Sequence, residues 1–157
     1  MTEAFHTERQ QAAWWVHAVV LACAVGSVAG AITAPADESR WWIVVPVLLL
    51  IGIYGLFTPM TVEVSSEEMA VRFGRFGWPG WSFLPAEIEE AQVVTFRPLR
   101  DFGGWGIRRG RDAHCLNERG NTGVRFVHAG RAYIIGSDAP EGLLAALRAA
   151  GADSGQT

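Results

Sequence analysis

The sequence predicts an α+β fold, in which a transmembrane helical hairpin precedes a small β-barrel or sandwich closed by one C-terminal amphipathic helix. Two apolar runs, residues 14–34 and 41–57, contain no charged residue. A helix needs about 20 mainly apolar residues to cross a bilayer core, so both runs are predicted spans. After residue 58 the spacing of apolar residues becomes alternating, and we expect about seven half-buried strands.

Charge and cysteine content narrow the class of protein. The 157 residues carry a net charge of −3, and this acidic balance argues against a nucleic-acid partner. Cys23 lies in the first apolar run and Cys115 in the later domain. We expect both to be free thiols in a reducing compartment.

The predicted hairpin, residues 14–57, follows a polar N-terminal segment, residues 1–13, for which we expect no regular structure. Tryptophan pairs at positions 14–15 and 41–42 open the two spans, and tryptophan prefers the membrane–water interface. A polar link, Pro35 to Arg40, joins the spans. A cleaved signal peptide is the alternative for the first span, but its length and the acidic residues before it favour a retained helix.

Small residues recur at every fourth position of the first span and form a stripe along one face of the helix. Such a stripe lets the backbone of another helix approach closely. The expected neighbour is the chain's own second span, and a helix of another chain is the alternative. The small-residue stripe consists of Ala18, Ala22, Gly26, Gly30 and Ala34.

The distribution of arginine predicts the orientation of the hairpin. Arg9 precedes the first span, and Arg72 and Arg75 follow the second, whereas the link carries Arg40 beside two acidic residues. Because an excess of arginine marks the cytoplasmic side, we expect a two-span protein of the cell membrane with both termini in the cytoplasm. His17 stands alone near the end of the first span and is expected to reach toward the lipid headgroups.

Residues 60–150 are predicted to form one domain. Its first two strands are joined by an acidic turn, Ser65–Glu68, and an irregular loop contains Gly103-Gly104-Trp105-Gly106. The predicted strands are residues 61–65, 69–74, 81–84, 91–97, 112–116, 122–128 and 131–136.

A C-terminal helix closes the predicted domain. Asp138 is the expected N-cap, with Glu141 three residues later as in a capping box. Gly151 suits the position after the helix end, and residues 151–157 are predicted to be a disordered tail. The apolar face of the helix consists of Leu143, Leu144, Leu147 and Ala150.

Four short motifs within residues 41–150 carry a family resemblance. They are Leu84-Pro85-x-x-Ile88-Glu89, Gly103-Gly104-Trp105-Gly106-Ile107-Arg108, Gly120-Asn121-x-Gly123-Val124, and Ile135-Gly136-Ser137 before Pro140-Glu141-x-Leu143. With these motifs the chain resembles bacterial membrane proteins that carry a pleckstrin-homology-like domain, the bacterial PH domain, behind two transmembrane helices. The resemblance implies architecture rather than activity. Phosphoinositide-binding members usually have basic residues in the first hairpin turn, which is acidic here.

A run of arginines is the strongest candidate for a binding site. Within this run, residues 97–111, Asp101 is the only acidic residue. Guanidinium groups match the geometry of phosphate and carboxylate, and Trp105 could enter the membrane interface beside them. The alternatives are a solvated face with ordinary ion pairs, and a Trp105 that covers the core above a tight turn. The arginines are Arg97, Arg100, Arg108, Arg109 and Arg111.

Nothing in the sequence indicates catalysis, a metal or a cofactor. His114 and Cys115 are adjacent on a predicted strand, so their side chains point to opposite faces. No paired carboxylates, nucleophile motif or phosphate-binding glycine loop occurs. We therefore expect a membrane-anchored, non-catalytic domain at the cytoplasmic surface that engages anionic lipid headgroups or a protein partner. The alternative is a structural subunit that packs into a larger membrane complex through its hairpin.

Overall fold

The computed structural model describes residues 4–33 and 41–154. Three predicted features lie outside these residues: the link Pro35–Arg40, Ala34 of the small-residue stripe, and residues 155–157 of the tail. The described chain has a mixed α+β fold, with two apolar helices, one sheet of four strands, one sheet of five strands and a C-terminal helix.

The two apolar helices, α1 (Trp14–Thr33) and α2 (Trp41–Phe57), pack against each other in antiparallel orientation. The ring of His17, in the first turn of α1, lies 5.6 Å from the ring of Tyr54, near the end of α2. Among the described residues one helix, α1, is long and apolar enough to cross a membrane. The second helix is also apolar but has 17 residues.

The first sheet has four antiparallel strands in the order β1-β2-β3-β4. These strands are β1 (Ala4–Gln10), β2 (Met60–Ser65), β3 (Met69–Phe73) and β4 (Gly80–Phe83). The first of them belongs to the segment for which we expected no regular structure. Because β1 precedes the hairpin and β2 follows it, the sheet joins chain segments from both ends of the two apolar helices.

The second sheet has five strands in the order β5-β8-β9-β7-β6, and the β7–β9 pair is parallel. The stretch that contains β6 had been predicted to be an irregular loop, whereas the seven strands expected after the hairpin all form. The strands are β5 (Glu89–Thr95), β6 (Gly106–Arg109), β7 (His114–Asn117), β8 (Thr122–His128) and β9 (Arg131–Gly136).

The main core lies between the two sheets and the C-terminal helix, α4 (Pro140–Ser154). Its largest fully buried apolar side chains include Phe73, Phe126, Met60, Met69, Leu116, Ile135 and Leu143. A smaller cluster on the other face of the second sheet contains Phe96, whose ring lies 6.0 Å from that of Phe102. This contact holds the short helix α3 (Pro98–Phe102) on the sheet.

The boundaries of α4 differ from the prediction at both ends. The helix begins at Pro140, and the carbonyl of Ala139 accepts the first helical hydrogen bond from Leu143, so Asp138 is not its N-cap. Proline suits the first helical position because the missing N–H would have no partner there. Asp138 instead pairs with Arg119 at 2.6 Å. At the other end the helix continues through Gly151, so part of the predicted tail is helical.

Strand β1 is joined to the start of α4 by the carboxylate of Glu8. This carboxylate accepts hydrogen bonds from the Ser137 hydroxyl, from the backbone N–H of Asp138 at 2.7 Å, and from the Gln10 side chain at 2.8 Å. Burial raises the pKa of Glu8, but these hydrogen bonds and one with His6 outweigh it, and the net pKa is lowered. The anionic form of Glu8 therefore stabilises the docked strand.

Candidate functional site

Trp105 lies where the β-rich domain meets α1. It belongs to the loop between α3 and β6, and its Nε1 donates a hydrogen bond to the carbonyl of Gly120 at 3.1 Å. Its ring stands edge-on to that of Trp15, in the first turn of α1, with 6.3 Å between ring centroids. The predicted roles of Trp105, at the membrane interface or above the core, did not include this contact with an apolar helix of the same chain, and both remain predictions. The loop is thereby held at the start of α1.

The structure divides the predicted arginine cluster into two groups. Arg97 directly precedes α3 and Arg100 lies within it, and both line a pocket with Trp105. Arg108 donates from Nε to the carbonyl of Trp105 at 3.0 Å, so these three lie close to the Trp105 loop. Arg109 follows Arg108 on β6 and therefore points to the opposite face of the strand. Arg111 lies beyond the end of β6.

All five arginine side chains are exposed, and none of them forms an ion pair with any part of the chain that the structure describes. The nearest acidic residue in sequence, Asp101, uses its carboxylate to accept a hydrogen bond from the backbone N–H of Arg97 at 2.8 Å. By contrast, Arg72, Arg119 and Arg125 are paired with glutamate or aspartate. The arrangement leaves the cationic groups of the cluster available to an external anion.

A pocket of about 270 Å³ opens between α3 and Trp105. Arg97 and Arg100 are among the residues that line this mainly apolar pocket, both are exposed, and Leu99 between them is 67% exposed. Guanidinium groups bind phosphate oxygens through paired hydrogen bonds, and an exposed leucine suits an acyl chain. The pocket is lined by Phe96, Arg97, Pro98, Leu99, Arg100, Trp105 and Asn121.

A second polar contact joins the domain to both apolar helices. Thr58, directly after α2, donates a hydrogen bond from its hydroxyl to Glu118 at 3.0 Å. Burial raises the pKa of Glu118, and this hydrogen bond together with the charge of His17 offsets only part of that increase. His17 is therefore not isolated, as the sequence had suggested, because Tyr54 and Glu118 lie beside it.

Three members of the small-residue stripe are open to the surroundings rather than packed against α2. Ala18, Ala22 and Gly26 are exposed, and a Cβ atom added at Gly26 would meet nothing within 4 Å. The buried residue of α1 is Ser27. Successive helical residues turn by about 100°, so Ala22 lies roughly 140° around the helix from Ser27. The expected contact with α2 is thus not formed by Ala18, Ala22 and Gly26, whereas Gly30 is half-buried.

His114 and Cys115 are neighbours on β7 in different surroundings, since the side chain of Cys115 is buried and His114 is half-buried. Burial raises the pKa of the Cys115 thiol to about 12, so its thiolate is scarce at neutral pH. The ring of His114 packs 5.4 Å from that of Tyr133. Across residues 4–33 and 41–154, no three His, Cys, Asp or Glu side chains are arranged to hold a metal ion.

The chain matches no protein-family model, and no curated protein or solved structure matches it at a significant level. Its resemblance to membrane proteins with a bacterial PH domain therefore remains a prediction from the sequence. The structure defines the class more coarsely, as an α+β chain with an apolar N-terminal helix able to cross a membrane and a β-rich domain.

Proposed function

We propose that this protein is anchored in the cell membrane by α1 and α2, and that its domain is a non-catalytic binding module for the phosphate groups of anionic lipids. The observation that carries the proposal is the pocket beside Arg97 and Arg100, because its wall includes Trp105 and that ring contacts Trp15 at the start of α1. A lipid next to α1 would present its phosphate at this level. The unpaired guanidinium groups would bind the phosphate oxygens.

The pairing of β1 with β2 supports two spans. Strand β1 precedes α1 and β2 follows α2, so the chain leaves one sheet and returns to it. The intervening segment must then cross a bilayer an even number of times. If α1 crosses, α2 has to bring the chain back, and its 17 residues extend about 26 Å, near the lower limit for a span.

Replacement of Arg97 and Arg100 by glutamine tests the proposal. We expect the full-length double variant to retain less phosphatidylglycerol than the native protein when both are released from membranes in mild detergent and analysed by native mass spectrometry. About 1 kcal/mol for each arginine corresponds to a roughly 30-fold lower affinity for the pair. Added salt should reduce lipid retention by the native protein, since exposed charges are screened.

The matched control replaces Arg131 and Arg148 by glutamine. Both are exposed arginines at the start of β9 and within α4, outside the pocket, and the substitutions change the net charge equally. If the two double variants lose lipid equally, the net charge of the protein rather than the pocket explains the lipid retention. Unchanged retention in the Arg97/Arg100 variant would remove the pocket from lipid binding and favour a protein partner for the domain.

A second candidate function is that of a structural subunit whose hairpin packs into a larger membrane complex. The open face of α1 at Gly26 favours it, because such a face accommodates a further helix. We expect Gly26→Leu to weaken co-purification of any helix partner, including a second copy, without changing the stability of the isolated chain. Val28→Leu, at another exposed position of α1, is the control. Identical behaviour of the two variants would argue against this candidate.

A further inference from the structure

The turn between β3 and β4, residues 74–79, lies directly against the last turn of α2. The backbone N–H of Arg75 donates to the carbonyl of Gly55 at 3.4 Å. Gly74 has a φ of +69°, and a Cβ atom there would collide with the carbonyl of Leu56, so only glycine permits this approach. The β3–β4 turn is therefore fixed at the level where α2 ends.

Two large aromatic side chains project from this turn into solvent. Phe76 is 84% exposed and Trp78 is 65% exposed. Arg75 beside them is also exposed, and no acidic residue occurs between Glu68 and Glu87. An exposed aromatic pair with a neighbouring cation and without carboxylates matches the chemistry of the interfacial layer of a bilayer, where aromatic rings and arginine meet anionic headgroups.

We infer that the β3–β4 turn is a membrane-inserting contact, with Phe76 and Trp78 seated in the interfacial layer next to α2. This inference rests on the proposed anchoring of α1 and α2 in the membrane, because α2 then leaves the bilayer at the level of Gly55 and Leu56. Continuity with the end of α2 identifies the occupant of this surface as lipid rather than a protein.

The inferred contact would hold the domain at two places. The Trp105 loop belongs to the second sheet and touches the start of α1, whereas the β3–β4 turn belongs to the first sheet and touches the end of α2. One contact from each sheet prevents the domain from tilting away from the bilayer. The pocket beside Arg97 and Arg100 is then kept at headgroup level.

A fluorescent probe at position 76 tests the inference in the full-length protein. Phe76→Cys is labelled with an environment-sensitive fluorophore in a Cys23→Ala background, after reconstitution into vesicles that contain phosphatidylglycerol. The remaining cysteine, Cys115, is 1% exposed and should not react. Glu67→Cys is the matched control, because it lies in the turn at the other end of β3, roughly 17 Å along the same hairpin.

We expect the probe at position 76 to emit at shorter wavelength than the probe at position 67. Its fluorescence should be quenched by lipids spin-labelled near the glycerol backbone and protected from aqueous iodide, with the reverse pattern at position 67. If iodide quenches the probe at position 76 as strongly as the probe at position 67, the inference is overturned. It is also overturned if the probe at position 76 is shielded from both quenchers, because that result indicates a contact with protein. Resistance of the same samples to alkaline extraction shows whether the helices are inserted in the membrane. An inserted protein whose β3–β4 turn is exposed to water refutes the turn contact alone. A protein that is not inserted refutes both the turn contact and the proposed membrane anchoring.

Discussion

At the scale of single residues, Glu8 and Glu118 respond to burial in opposite ways. Burial raises the pKa of both carboxyl groups, but Glu8 accepts several hydrogen bonds and its net pKa falls. Glu118 accepts its bond from Thr58, beside His17, and its net pKa rises. The number and geometry of the hydrogen-bond donors decide whether the net pKa of a buried carboxyl group is raised or lowered. Neither role is visible in the sequence, because Ser137 and Asp138 lie about 130 positions from Glu8, and Thr58 lies 60 positions from Glu118.

Replacement of Glu8 by glutamine should reduce the free energy of unfolding by roughly 1–3 kcal/mol near neutral pH, since charged hydrogen bonds to the start of α4 are lost. A lowered folded-state pKa means that this stabilisation is present above the ordinary value of 4.5 and is lost as pH falls through the folded value. Thermal unfolding of the full chain in detergent should therefore show a difference in unfolding temperature between the native protein and the Glu8→Gln variant, and this difference should become smaller at acidic pH. Glu67→Gln, in an exposed turn, is the control, and a difference that persists unchanged at low pH would contradict the assignment.

At the scale of secondary-structure elements, hydrophobic alternation predicted the strands that bury apolar side chains. Strand β2, for example, buries Met60, Val62 and Val64 on one face. The inward-facing residues of β1 are instead His6, Glu8 and Gln10, so this strand has no apolar period to detect. Its place depends on hydrogen bonds to distant residues. The predicted domain, which began at residue 60, therefore did not include β1.

A chain in which a short glycine–serine linker replaces the hairpin tests the role of β1. Gln10 and Met60 are paired across β1 and β2, so their Cα atoms are about 5 Å apart and a few residues can join them. We expect this fusion to unfold cooperatively as a water-soluble domain. Residues 60–157 alone expose the edge of β2 and should unfold at lower temperature or aggregate. Equal thermal stability of the two chains would show that β1 is dispensable.

At the scale of the whole molecule, the candidate site combines local and distant features. The arginine run was visible in the sequence because its members lie within 15 positions of one another. The contact between Trp15 and Trp105 was not visible in the sequence, since it depends on how the domain packs against the helices. The pocket is lined by Arg97 and Arg100, at α3, whereas Arg108, Arg109 and Arg111, on or just after β6, are not among its lining residues. Sequence proximity therefore identified the charged residues but not the two of them that line the pocket.

The pairing of β1 with β2 constrains how the protein can be oriented in the membrane. Residues before α1 and after α2 share one sheet, so we expect reporters fused before Met1 and after Thr157 to lie on the same side. Arg9 and Arg75 flank the helices on that side, and their positive charge favours the cytoplasm. A fluorescent protein should thus be active at either end, and alkaline phosphatase, which needs an oxidising compartment, inactive at both. Active phosphatase at both ends would reverse the orientation but preserve the sheet, whereas opposite results at the two ends would be incompatible with the β1–β2 pairing itself.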